Sequence, residues 1–212
     1  MNTKMWISAA AVLLGSAGPA YADTAQPSQQ ALTLAVKQYL TDHGDLCVGK
    51  STWPRDLTAE DRQSYSNDAV QLPVLERLGL VESKEIPAQA AASSAPVRRY
   101  SLTAKGRQYY LQKKRTTLDV HGQPVEQDAD LCLASLSLDK VVKWSPPEQV
   151  HGHLETVVRY TYSIKSADWM TDPEAREAFP VVSRIIRGQN NLLMSVNVRL
   201  QDGRWMPVLP GQ

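Results

Sequence analysis

Phenylalanine is almost missing from this chain, with one residue against eight tyrosines and five tryptophans. Its aromatic area therefore comes mostly from rings that carry a polar atom, which looks for a partner when buried. Cysteine is scarce. Cys47 and Cys132 stand alone and are not spaced as a Cys-x-x-Cys redox pair. A surplus of one charge is absent too: 23 Lys and Arg face 22 Asp and Glu. Nothing global therefore pulls the protein toward nucleic acid or acidic membranes. After the first residues no apolar run reaches the roughly 18 needed to cross a bilayer, so no membrane span is expected in the mature chain. Neither Gly-x-Ser-x-Gly nor His-Glu-x-x-His occurs in the 212 residues. With no catalytic or cofactor motif in view, the chain is not expected to be an enzyme or to hold a cofactor. What is present is ordinary for a globular chain: 42% apolar and 21% charged residues, which excludes a disordered polar or collagen-like polymer.

The N-terminus has the three-part layout of a secretory signal peptide. Lys4 is the only charge before Asp23, an apolar stretch runs from Met5 to Leu14, and Ala20-Tyr21-Ala22 supplies small residues at a cleavage point. The expectation is cleavage after Ala22 and a periplasmic or secreted location. Removing residues 1–22 takes away one lysine and no acid, leaving the mature chain formally neutral. In an oxidising compartment Cys47 and Cys132 most simply form one disulfide.

Apolar spacing predicts a helix from Ser28, with Leu32, Ala35, Val36, Tyr39 and Leu40 on one stripe and Gly44 as its stop. Thr58-Ala-Glu-Asp61 reads as a second helix start, and Ala69 to Leu78 as a further helix with Pro73 near its beginning. Residues 80–83 suggest a strand, 84–97 an Ala/Ser/Pro-rich loop, and 98–102 a returning strand. Thr103 caps a helix expected to carry Gly106, Tyr109, Tyr110 and Leu111. A polar connector, 116–130, marks an expected boundary. Beyond it, 150–165 alternates strictly: Val158, Tyr160 and Tyr162 share one face, while Arg159, Thr161 and Lys165 share the other. Thr171 or Asp172 with Pro173 opens a helix that Pro180 should split and Gly188 end. Residues 191–201 alternate again, and Asp202-Gly203 is a hairpin turn that sets Leu200 opposite Trp205.

The run Leu75-Glu-Arg-Leu-Gly-Leu-Val81, a hairpin, and Tyr100-Ser-Leu-Thr-Ala-Lys-Gly-Arg107 resembles the winged-helix domains of MarR-like and PadR-like regulators. In those domains the hairpin is the wing. Cys132, Lys140 to Trp144, Val158 to Tyr162 and Ala167-Asp168-Trp169 resemble a group of uncharacterised exported proteins of Gram-negative bacteria. That likeness implies no functional residues. The expected fold is α+β: a helical winged-helix-like module over 23–115, a linker at 116–130, and an antiparallel sheet with one packed helix over 131–212. The disulfide would staple the two modules together.

Three groups of residues could carry chemistry. Arg98, Arg99, Lys105, Arg107, Lys113, Lys114 and Arg115 form a basic run with no acid inside it, interleaved with tyrosines. Such a run could bind a polyanion, or it could be a solvated face balanced by Asp119, Glu126, Asp128 and Asp130. His151-x-His153-x-Glu155 places three metal-ligand types on one strand face, which is equally the face of a solvated strand. Trp53, Trp144, Trp169 and Trp205 could line a groove or simply pack. The first expectation is an exported binding or accessory protein without enzymatic activity. Its contact surface would be the exposed sheet face or the basic run, and its partner an envelope protein or an anionic envelope polymer. Nucleic acid is not the expected partner, because export removes it. The alternatives are an envelope-directed hydrolase using His151, His153 or His121, and polyanion or nucleic-acid binding through residues 98–115.

Overall fold

The computed structural model describes residues 26–88, 96–118 and 121–208. The signal-like segment 1–22, residues 89–95 of the 84–97 loop, and Asp119 lie outside them.

Helix α1 (Gln29–His43) forms as its sequence dictates. The Ser28 hydroxyl accepts from the Ala31 amide at 3.1 Å, and Gly44 closes the last turn through Leu40 O. Leu32, Ala35, Val36 and Leu40 make one buried stripe. Strands β1 (Asp45–Cys47) and β2 (Arg55–Leu57) follow. Helix α2 (Ala59–Gln63) opens with a full capping box between Thr58 and Asp61, and α3 (Asn67–Arg77) starts on Ser66. Pro73 lies inside α3 rather than near its start. Strands β3 (Val81–Ile86) and β4 (Val97–Leu102) pair antiparallel, with β2 on the other edge of β4. A one-turn helix α4 (Ala104–Arg107) is capped by Thr103.

The chain then turns to strand. β5 (Tyr110–Leu111), β6 (Arg115–Leu118) and β7 (Pro124–Gln127) precede two long strands, β8 (Asp130–Trp144) and β10 (His153–Ser166), with the short β9 (Glu148–Val150) between them. A 3-10 turn (Asp168–Thr171) leads to α5 (Pro173–Ala178) and α6 (Pro180–Arg187). Asp172 caps α5, Pro180 separates the two helices, and Gly188 ends α6. β11 (Met194–Gln201) and β12 (Arg204–Pro207) complete the chain. Asp202 and Gly203 both take positive φ, 50° and 75°, and Leu200 faces Trp205 across the resulting hairpin.

The architecture is sheet-dominant, and this corrects the expected fold class. A curled antiparallel sheet of seven strands, in the order β1-β8-β10-β11-β12 with β5 on β8 and β9 on β10, organises the molecule. The first half is not a separate helical winged-helix module. Its helix α1 lies on the large sheet, and its strand β1 is an edge of that sheet. The physical reason is the apolar stripe of α1. It needs an apolar surface, and Val141, Val158, Tyr160, Val196, Val198 and Trp205 on the large sheet provide one.

The helices expected to cover the sheet instead close a second core. There α5 packs on α3, and Trp169, Met170, Phe179 and Val182 meet Leu72, Leu75 and Leu80. The expected helix through Tyr110 and Leu111 stops at Arg107, because Tyr110 and Leu111 pair with Leu131 and Asp130. The alternating stretch 150–165 breaks at His151-Gly152, with φ of 50° and 82°, into the β9–β10 hairpin.

Candidate functional site

The two cysteines form a disulfide. It joins directly opposed residues of neighbouring strands, since Cys47 and Cys132 are register partners of β1 and β8. It therefore locks one strand onto the sheet rather than stapling two modules.

The side chains of the basic run meet partners in the fold while staying partly exposed. Arg98 donates to Glu76 Oε2 at 2.9 Å and Ser83 Oγ at 2.7 Å, and lies over the Tyr100 ring. Arg99 grips both oxygens of Asp56 at 2.6 and 2.7 Å, and its guanidinium holds that carboxyl below the ordinary carboxylate range. Lys105 donates to Leu78 O and Arg107 to Leu102 O. Lys113 reaches Thr41 O at 2.7 Å and Asp45 at 3.2 Å, and Lys114 stands 4.0 Å from Asp128. The side chain of Arg115 lies outside the described residues. The run ties β4, α4 and the following segment to their neighbours.

The histidine strand does not assemble either. His151 sits in the β9–β10 turn and His153 begins β10. Glu155 is taken by Arg199, at 2.8 Å from Nε and 2.7 Å from the terminal nitrogen. Among the described residues no three His, Cys, Asp or Glu side chains gather as a metal site. The tryptophans also separate. Trp205 is buried under α1, and Trp169 packs edge-on to Tyr109 and Phe179. Trp53 donates to Lys50 O, and Trp144 is exposed at the end of β8.

A buried ionic cluster had no signal in the sequence. The Lys50 side chain is only 2% exposed, yet its ammonium meets Asp68 Oδ1 at 2.5 Å. Arg55 holds the other oxygen through Nε at 2.9 Å and a terminal nitrogen at 2.7 Å. Asp130 accepts the backbone amides of Gly49 and Lys50 at 3.1 and 2.6 Å. Burial depresses the Lys50 ammonium below the usual lysine range, against the pull of Asp68. The group fastens the β1–β2 loop beside the disulfide. A cleft of about 470 Å³ opens near the same disulfide, lined by Asp45, Tyr109, Cys132, Ser135, Lys165 and Asp168. Its lining carries one cation, Lys165, and two carboxylates, Asp45 and Asp168.

The exposed face of the large sheet is different. Paired residues of neighbouring strands point to the same side, so register shows which charges share a face. Arg159 of β10 is directly opposite Lys143 of β8, and Thr161 is opposite Lys140. On the other flank Arg159 faces Ser195 and Val157 faces Asn197. Lys140, Lys143 and Arg159 are all exposed. Among the described residues no carboxylate forms an ion pair with any of them. The nearest acid in sequence, Asp139, accepts from Thr161 Oγ1 at 2.7 Å. Two like charges directly across a strand pair repel, an unfavourable arrangement that an anion lying over them would reverse. Lys140 and Lys143 are three residues apart, which in a regular strand would set them on opposite faces. A bulge at Val142 brings them together, because Arg159 pairs with Lys143 while Tyr160 pairs with Val141. Set against protein-family models, curated proteins and solved structures, the chain matches none.

Proposed function

We propose that the chain is an exported, non-enzymatic binding or accessory protein that meets an anionic partner through the exposed face of β8, β10 and β11. The observation carrying this reading is the cross-strand pair Lys143–Arg159, joined by Lys140 and left without an acid partner. Export agrees with a protein that holds a disulfide and whose described residues include no helix long and apolar enough to cross a membrane. The resemblance of its second half to exported proteins of Gram-negative bacteria points the same way. The basic run 98–115 is not assigned the contact, because its described cations are engaged within the fold.

The test is binding of the protein to fluorescently labelled polyphosphate, followed by anisotropy over a range of salt. Affinity is expected to fall as salt rises, as counterion release requires. Lys143→Glu with Arg159→Glu should abolish binding, whereas Lys105→Glu with Lys114→Glu should leave it nearly unchanged. Equal loss in both pairs, or no salt dependence, would overturn the assignment of this face.

A further inference from the structure

The cations of the sheet face do not stand among polar residues alone. Val142 is 44% exposed at the bulge beside Lys143, and Val157 is 39% exposed two residues from Arg159 on the same strand face. Leu193, 44% exposed, immediately precedes Met194, the register partner of Tyr160. Cations and exposed apolar side chains are thus interspersed around β8, β10 and the start of β11. A soluble polyanion would use the cations and leave the apolar groups in water. A bilayer interface uses both: phosphate headgroups attract the cations, and the apolar tips enter the headgroup boundary. The side chains also suit a peripheral contact, since Lys and Arg reach past their own apolar stems while keeping the charge at the headgroup level.

We propose that this face docks the protein on a membrane surface rich in anionic phospholipid. The inference rests on the binding face assigned above, and it adds the partner. Charge complementarity selects the lipid class: three unpaired cations on one face outnumber its two exposed acids, Glu148 opposite Glu155 and Asp139 beside Thr161, while Glu155 itself is paired with Arg199. Each cation near an anionic membrane strengthens binding roughly fivefold, so the three together are worth about 100-fold. The contact is reversible, because a few partly exposed apolar groups add far less than a spanning helix.

Co-sedimentation of the full protein with phosphatidylcholine vesicles, with and without phosphatidylglycerol, tests the proposal. Binding is expected only where phosphatidylglycerol is present, and it should weaken with salt. Replacing Lys140, Lys143 and Arg159 with Gln should weaken vesicle binding about 100-fold. Their folding should survive, because the change removes a cross-strand repulsion, so the melting temperature should hold or rise. Val157→Ser with Leu193→Ser separates lipid from a soluble polyanion. It should weaken vesicle binding roughly tenfold while leaving polyphosphate binding unchanged. Polyphosphate binding without vesicle binding would overturn the lipid proposal and leave the assigned face standing. Loss of both would overturn the face as well. Equal binding to both vesicle types would overturn the electrostatic argument.

Discussion

Removing one carboxylate should cost this protein more than removing the lysine it serves. Lys50 is buried to 2% exposure, and Asp68 is the acid that its ammonium contacts, at 2.5 Å. Asp68→Asn leaves that ammonium in a low-dielectric site with no carboxylate in contact, since Asp130 acts on it only from a distance. Breaking a buried pair in this way costs about 3–5 kcal/mol. Asp68 keeps 24% of its side chain exposed, so the lower end, about 3 kcal/mol, is the expected value. Lys50→Met makes the opposite change. It keeps the apolar stem, removes the ion, and leaves Asp68 gripped by Arg55 through two nitrogens at 2.9 and 2.7 Å. Because Asp68 keeps Arg55 as its counter-charge, no ion is stranded, and the expected cost is within about 1 kcal/mol. The backbone amide of Lys50 still donates to Asp130 in the variant. Guanidinium denaturation at neutral pH, with the disulfide intact, measures both. For a chain of this size about 3 kcal/mol also lowers the melting temperature by roughly 6–12 °C.

The pH dependence supplies a second measurement of the same cluster. Burial pushes the Asp68 carboxyl up, but the hydrogen bonds and charges of Lys50 and Arg55 outweigh it and hold the group below 3.8. A depressed carboxyl contributes stability that is full above its unfolded value and lost as pH falls through its folded one. The acid limb of stability below about pH 4 should therefore flatten in Asp68→Asn. The reasoning is refuted if Lys50→Met costs as much as Asp68→Asn, since the pair itself, and not the rescue of a stranded ion, would then hold the loop.

Two further outcomes follow from packing and titration. A methyl on Gly106 would meet Leu80 O at 1.9 Å and Leu102 Cδ2 at 3.1 Å, so Gly106→Ala must push α4 off the turn before β3 and should cost about 3 kcal/mol in denaturant melts. Burial lifts the Tyr160 hydroxyl to about 12. A raised acid binds its proton more firmly folded than unfolded, so stability should fall as pH climbs from about 10 toward 12, and Tyr160→Phe should remove that loss in alkaline melts.

Local rules were legible wherever a feature is settled by neighbours in sequence. The Ser28, Asp172 and Thr103 caps, the split at Pro180 and the Asp202-Gly203 turn all form as their residues dictate. So does the buried even-numbered face of β10. Partner choice was not legible. The stripe on α1 specifies that an apolar surface must cover it, but many surfaces satisfy that demand, and the large sheet does so from more than a hundred residues away. Cys47 likewise reads as a loop residue until β8 provides the edge that makes it a strand. The Lys50–Asp68–Arg55 cluster leaves no pattern at all, because ion pairs between a loop, a strand and a helix have no period.

Charge shows the same limit in its sharpest form. Seven cations close in sequence, from Arg98 to Arg115, look like a surface, yet a strand sends neighbours to opposite faces and a helix spreads them around its axis. The six whose side chains are described each find an acid or a carbonyl. Lys143 and Arg159 are sixteen residues apart and look unremarkable singly, yet antiparallel pairing sets them side by side. Lys140 joins them only because one extra residue, Val142, shifts the alternation between the two lysines. That bulge is the device on which the binding face depends. Lys143→Gln with Gln63→Lys moves one cation from this face to the exposed end of α2, and separates the cluster without removing any charge. A vesicle-binding loss of about fivefold in that double variant, with the disulfide still formed and the fold retained by circular dichroism, would show that the arrangement of charge rather than its amount makes the surface. Unchanged binding would mean that total charge suffices and that register has no part in it.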